Sequence, residues 1–430
     1  MKKLTSLEIA AIILTIAAFI FFLDKSVLSK ETINLRPQEP KPPFPYYQEE
    51  ITFENPKAGI KLAGTLTLPA RDGNFPAVIL ISGGGPSDRN VESMGHKPFL
   101  VIADHLTRNG IAVLRFDDRG VKQSEGDYQS ATSADFADDV ESAIHFLKVR
   151  REINPDQIGL AGRSEGGMIA PMVAARSTDV AFIIMLAGPG MPCDSSILLQ
   201  MAAFQRVRKY PEARIQQAQI VFAGALNIVK QSTDRVILRE QLKQYINANL
   251  DSVSAFTSDS ASLTQSRTVV INNFSSAWTQ YLVKYDPTAA LEKVKCPILA
   301  LNGEKDYQVP PKEHFKGIMQ ATRKGRNKNV KLVEIPGLNH LFQKCKTGGP
   351  EEYNRTTETF SPLALKEMTN WIRSTFSRPP YQQARFQGLN ECHIIFGDSF
   401  SVAILKIITH STALAHKFVA NQNRETLLDD

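Results

Sequence analysis

Two rhythms of apolar and polar positions alternate along this chain. Runs at 77–81 and 180–186 are apolar at every position, and 111–116, 158–161, 296–301 and 330–335 are further short strand-like runs. Between them lie segments with helical spacing, at 99–109, 133–150 and 362–376. In 133–150 the apolar stripe is Phe136, Val140, Ile144 and Leu147, and Thr132 or Ser133 can cap it. Buried strands alternating with helices predict an α/β fold with a mostly parallel central sheet and helices on both faces. Ahead of it, 49–53 and 60–68 flank Asn55-Pro56-Lys57-Ala58-Gly59, an antiparallel hairpin signal.

The alternation stops between about 191 and 285. This stretch has helical spacing and no clear core strand, so it is expected to form a helical cap insertion, with polar 257–266 as a loop. The sheet then resumes. The folded domain is expected to cover 47–377. Residues 378–430 do not continue the pattern. Within them 402–419 has amphipathic spacing, to which no role is assigned.

The N-terminus reads differently. Lys2 and Lys3 precede a charge-free run at 9–23, closed by Asp24-Lys25. A basic start before an apolar core is an export signal. No A-x-A site follows, so residues 1–25 are expected to remain as a membrane anchor in preference to a cleaved signal. The flanking lysines place the body outside the cytoplasm, in the cell envelope or beyond it. Residues 26–46 are proline-rich and are expected to form an extended spacer, the alternative being a lead-in that lies along the domain surface.

Composition adds limits. The chain has 430 residues, 43% hydrophobic and 22% charged, enough for a large core. Its net charge of +6 is mild at this length, and no basic stripe with interleaved aromatics suggests nucleic acid. Cys193, Cys296, Cys345 and Cys392 are widely spaced, without zinc-site spacing, and are expected to be free thiols. No metal or cofactor is expected.

The chemistry centres on Gly162-Arg163-Ser164-Glu165-Gly166. An apolar run leads into this G-x-S-x-G pattern and a helix-like, Ala- and Met-rich segment follows, the context of a nucleophile elbow. A serine needs a base, and the base needs an orienting acid. In this arrangement the order is serine, acid, histidine. His96, His105 and His145 precede Ser164; His314 lies inside a helix-like segment; His393, His410 and His416 lie in the tail. His340 alone sits just past a late strand. The acid should follow the preceding strand, where Asp306 is chosen and Glu304 is the fallback. Asp117, Asp118 and Arg119 come before the serine and read as an ion-pair network bracing loops. The oxyanion donors are expected to be the amides of Glu165 and Gly84, the latter from Gly83-Gly84-Gly85. Neither phosphate-cradling glycine pattern follows that strand, so a nucleotide is not expected.

Seven segments in this order resemble the bacterial α/β-hydrolase carboxylesterases of the EstD type. They are Ser82-Gly-Gly-Gly-Pro-Ser-Asp-Arg89, Arg115-Phe-Asp-Asp-Arg-Gly120, Gly162-Arg-Ser-Glu-Gly-Gly167, Leu186-Ala-Gly-Pro-Gly190, Tyr285-Asp-Pro287, Leu301-Asn-Gly-Glu-Lys-Asp306 with Gln308-Val-Pro-Pro311, and Gly337-Leu-Asn-His-Leu-Phe-Gln343. The resemblance implies an α/β-hydrolase fold and hydrolysis of small carboxylic esters with short acyl chains, without metal or cofactor. Arg163 stands where such proteins often have His, Gly84 where Ser is common, and Lys122 where Gly is common. Thioesterase, peptidase or lactonase activity would use the same triad. An anchored, non-catalytic binding module is the reading from a different class.

Overall fold

The computed structural model describes residues 36–249 and 260–376. The expected anchor, the tail with its amphipathic stretch, and Cys392 lie outside the described residues. Among the described residues no helix is long and apolar enough to cross a membrane, and Cys193, Cys296 and Cys345 are free.

Eight strands form one sheet: β1 (Tyr47–Asn55), β2 (Ile60–Leu68), β3 (Phe75–Ile81), β4 (Ala112–Phe116), β5 (Ile153–Arg163), β6 (Phe182–Leu186), β7 (Ile298–Gly303) and β8 (Val330–Ile335). Their spatial order is β1-β2-β4-β3-β5-β6-β7-β8. From β4 to β8 every neighbouring pair is parallel. β2 runs against both β1 and β4. β6 is buried at all five positions, as a strand covered on both faces must be. Edge strand β1 alternates buried or half-buried with exposed residues along most of its length.

Strand period sorts the core into two layers. Ala77, Ile79 and Ile81 face one layer; Val78 and Leu80 face the other. The first layer is filled from α2 (Ser133–Lys148) and α3 (Glu165–Ala174) by Val140, Ile144, Leu147, Ile169 and Val173. α1 (Pro98–Arg108) and the closing helix, Pro362–Phe376, fill the second with Phe99, Ile102, Leu106, Leu365 and Met368. At the start of α2 the backbone N–H and hydroxyl of Thr132 both donate to Asp135, 2.9 and 2.7 Å away, which fixes where that helix begins. This is the expected α/β-hydrolase architecture.

Between β6 and β7 come α4 (Cys193–Val207), α5 (Glu212–Gln231), α6 (Arg235–Asn249), α7 (Ser260–Phe274), α8 (Ala277–Lys284) and α9 (Pro287–Leu291). Most of these helices share a core of their own, built from residues such as Ile197, Phe222, Leu242 and Phe274, and it reaches Met168 of α3. The loop expected at 257–266 is corrected in part: α7 begins at Ser260. Val270, Ile271 and Phe274 in its second half are buried, and that packing outweighs a polar first half. α10 (Pro311–Lys324) and α11 (Pro362–Phe376) complete the helices among the described residues.

The described half of the proline-rich run lies along the body. Gln38 donates to the Phe360 carbonyl at 2.7 Å and accepts from the Thr359 and Phe360 amides at 2.5 and 3.1 Å. Glu39 pairs with Lys97 at 2.6 Å. Residues 36–46 are therefore a docked lead-in and not a free spacer.

Candidate active site

The site is assembled on the carboxyl ends of parallel strands, where loops share one rim of the sheet. Ser164 joins β5 to α3 with φ 55° and ψ −117°. A non-glycine residue seldom takes a positive φ, and holding it costs roughly 1–3 kcal/mol. Surrounding bonds fix it: the Ser164 amide donates to the Leu186 carbonyl at 2.8 Å, and the Ser164 carbonyl accepts from Gly167 at 2.9 Å. The turn is tight enough to demand glycine twice. A Cβ on Gly162 would collide with the Gly166 carbonyl, and one on Gly166 with the carbonyls of Ile81 and Ser82.

Asp306 follows β7. Its Oδ1 accepts from the amides of Gln308 at 2.8 Å and Val309 at 2.9 Å. Its Oδ2 lies 2.8 Å from Nδ1 of His340, in the loop after β8. The two loops touch backbone to backbone: the Lys305 amide donates to the Leu338 carbonyl at 2.9 Å. Asn339 holds the histidine turn from below, its Oδ1 accepting from Leu341 and Gln343 at 2.9 and 3.0 Å. A carboxylate only accepts, so Nδ1 carries a proton, and in the neutral ring the lone pair is then on Nε2. Glu304, the fallback acid, is turned away and accepts from the Gly337 amide at 2.8 Å.

Ser164, Asp306 and His340 are buried, at 9%, 3% and 3% exposure. Two other buried histidines are braces. His314 accepts from the Gly190 amide at 3.0 Å. His96 lies 2.9 Å from the Thr359 hydroxyl and 3.2 Å from the Tyr353 carbonyl. Burial pulls both down to about 4, so both stay neutral at ordinary pH.

The glycine loop after β3 meets the elbow at Gly83. A Cβ there would lie 3.2 Å from Ser164 Cβ and 3.9 Å from its Oγ. Gly84 follows and is exposed. The Gly85 carbonyl accepts from the Ser87 hydroxyl at 3.1 Å. Asp118 clamps both ends of this loop, accepting from the Ser82 hydroxyl at 2.6 Å and the Ser87 amide at 2.9 Å. Burial pushes its carboxyl up to about 8. Its neighbours do separate work: Asp117 holds Arg89 at 2.7 Å, and Arg119 holds Asp139 at 2.7 Å. Sequence reasoning grouped the three as one network and missed the clamp.

It also missed the side chain of Glu165. This carboxyl is 1% exposed and accepts from Ser133 at 2.6 Å and from Trp278 Nε1 at 2.7 Å. Burial raises its pKa. Trp278 belongs to α8, so the helical insertion is tied to the residue after the elbow serine. A tryptophan inside an amphipathic helix gives no sign of such a bond.

The family model described as serine aminopeptidase, S33 (Hydrolase_4) matches residues 96–344, more than half of the chain. The chain belongs to the S33 serine hydrolase family. Esterase EstD of Thermotoga maritima is 25% identical over 331 residues, covering 76% of this chain and 70% of EstD. Uncharacterized protein PA2218 of Pseudomonas aeruginosa is 30% identical over 129 residues, covering 29% of this chain and 33% of that protein. The crystal structure of PA2218 aligns at TM-score 0.49 and 16% identity, covering 81% of this chain and 98% of that chain. The Pyrococcus furiosus esterase PF2001 aligns at TM-score 0.44 and 16% identity, covering 78% and 91%.

Proposed function

We propose that this S33 hydrolase cleaves carboxylic esters with short acyl groups through an acyl-enzyme. The observation that carries the reading is the buried His340–Asp306 pair at 2.8 Å, on the sheet rim that also presents the strained Ser164. In the proposed sequence, Ser164 Oγ attacks the ester carbonyl while His340 Nε2 takes its proton. Asp306 orients the imidazole and stabilises its charged form. The amides of Gly84 and Glu165 receive the oxyanion. Glu165 is the first residue of α3, whose leading N–H groups have no acceptor within the helix. His340 then gives its proton to the leaving alcohol, whose C–O bond breaks. Water attacks the acyl-enzyme with His340 as base, releasing the acid and restoring Ser164. The helical insertion is proposed to act as a cap over this rim, and EstD supports esters as the substrate class.

The test is Ser164→Ala with p-nitrophenyl acetate and butyrate. Turnover should fall by at least about 10³-fold; unchanged turnover contradicts the proposal. The family description, serine aminopeptidase, favours peptides as a second reading with the same triad. Competition between an aminoacyl p-nitroanilide and p-nitrophenyl butyrate on one preparation separates the two.

A further inference from the structure

One charge beside the proposed triad has no ion-pair partner among the described residues. Arg163 directly precedes Ser164 and is the last residue of β5, paired with Leu186 of β6. Its Nε is buried without a hydrogen-bond partner, and its guanidinium makes no ion pair with any described residue. Asp306 and Tyr353 are close enough for their charge to act on it. Neither is free to neutralise it. Both oxygens of Asp306 are held, by His340 and by two backbone amides. The Tyr353 hydroxyl is neutral and accepts from Gln308 at 3.2 Å. Around Tyr353 pack Phe204 and Tyr307, with Met94 and Leu341 at the edge, an apolar setting.

Elsewhere the fold holds its buried arginines by partners. Arg89 and Arg119 each hold a carboxylate. Arg115, which has none, is bonded to Asn90 and sits in β4 between β2 and β3. Burial lowers Arg163 to about 10, which leaves it charged at neutral pH. Arg163 is half-buried with its Nε shielded from water; a partly desolvated cation without an ion pair is costly, and a planar guanidinium fork matches a carboxylate with two parallel hydrogen bonds. What enters this site is substrate.

We propose that Arg163 is a specificity residue that selects acidic esters, binding a carboxylate carried by the substrate while the ester carbonyl lies over Ser164. This rests on the ester-hydrolase reading above and names its substrate class. The selectivity is electrostatic, so it should weaken as salt rises.

The experiment compares kcat/KM for two pairs matched in carbon-chain length, followed by proton release. In monomethyl glutarate against methyl pentanoate the charge is on the acyl side. In 4-acetoxybutanoate against butyl acetate it is on the alcohol side. The native enzyme should favour the anion about tenfold, or about 1.4 kcal/mol, in at least one pair. Arg163→Gln should bring that ratio to about one, and Arg163→Lys should keep part of it. If the Gln variant does not fold, the native ratio and its fall between low and high salt carry the test. A native ratio below about threefold in both pairs overturns the proposal, as does a ratio unaltered in Arg163→Gln or by salt. Absence of this preference in the native enzyme, with neutral esters still cleaved in a Ser164-dependent way, defeats only the role of Arg163. No Ser164-dependent cleavage of any ester defeats the hydrolase reading itself.

Discussion

Asp118 shows how much a single buried carboxyl can control. It holds Ser82 and Ser87, the two ends of the loop expected to supply an oxyanion donor. Its pKa is near 8 in the folded chain and near the ordinary carboxylate value of about 4 once unfolded. Between those values the folded state keeps a proton that the unfolded state has lost. Stability therefore falls as pH rises from about 4 to about 8. The protonated carboxyl can donate to Ser82 and accept from Ser87, and so can asparagine. Asp118→Asn should keep both bonds and remove this slope. Urea midpoints should show the native chain losing ground to the variant across that window; a constant difference contradicts the assignment. The order of residues singled out His340 and Asp306, since only one histidine follows a late strand. Nothing in the sequence set Asp118 apart from Asp117, because their difference lies in which loop end each one faces.

At the scale of elements, legibility followed packing. β8 and α11 were read with their observed bounds, because each is an apolar or amphipathic pattern bounded at one end by proline, Pro336 after β8 and Pro362 opening α11. β5 was read as 158–161 but begins at Ile153. Its register shifts opposite Phe75 and Ala77, and the irregularity leaves Pro155 and Asp156 exposed, which hides the strand's first half. The link between α8 and the elbow was invisible for another reason: it is one hydrogen bond, Trp278 to Glu165, between residues 113 apart. Trp278→Phe keeps an aromatic ring and removes the donor. It should lower stability by about 1–3 kcal/mol, since the Glu165 carboxyl is buried and its Oε2 already lacks a partner. A shifted urea midpoint at constant m-value would show this; an unshifted midpoint would mean the tether contributes nothing.

For the molecule as a whole, the folded body extends further towards the N-terminus than the strand pattern suggested. Gln38 and Glu39 belong to no strand or helix, so periodicity has nothing to report there. They nevertheless satisfy the backbone of Thr359 and Phe360, both buried, and pair with Lys97. A chain beginning at Arg36 should be more stable than one beginning at Tyr47, by about 2–3 kcal/mol. Equal thermal midpoints would reduce the lead-in to a spacer.

The proposed chemistry requires one nucleophile, activated by a histidine from far along the chain. A fluorophosphonate reports that state directly, because it reacts with an activated serine and leaves a stable adduct. After labelling and digestion, mass spectrometry should find a single adduct, on Ser164, and His340→Ala should suppress it. An adduct on another residue, or an unlabelled Ser164 in the folded protein, would contradict the account.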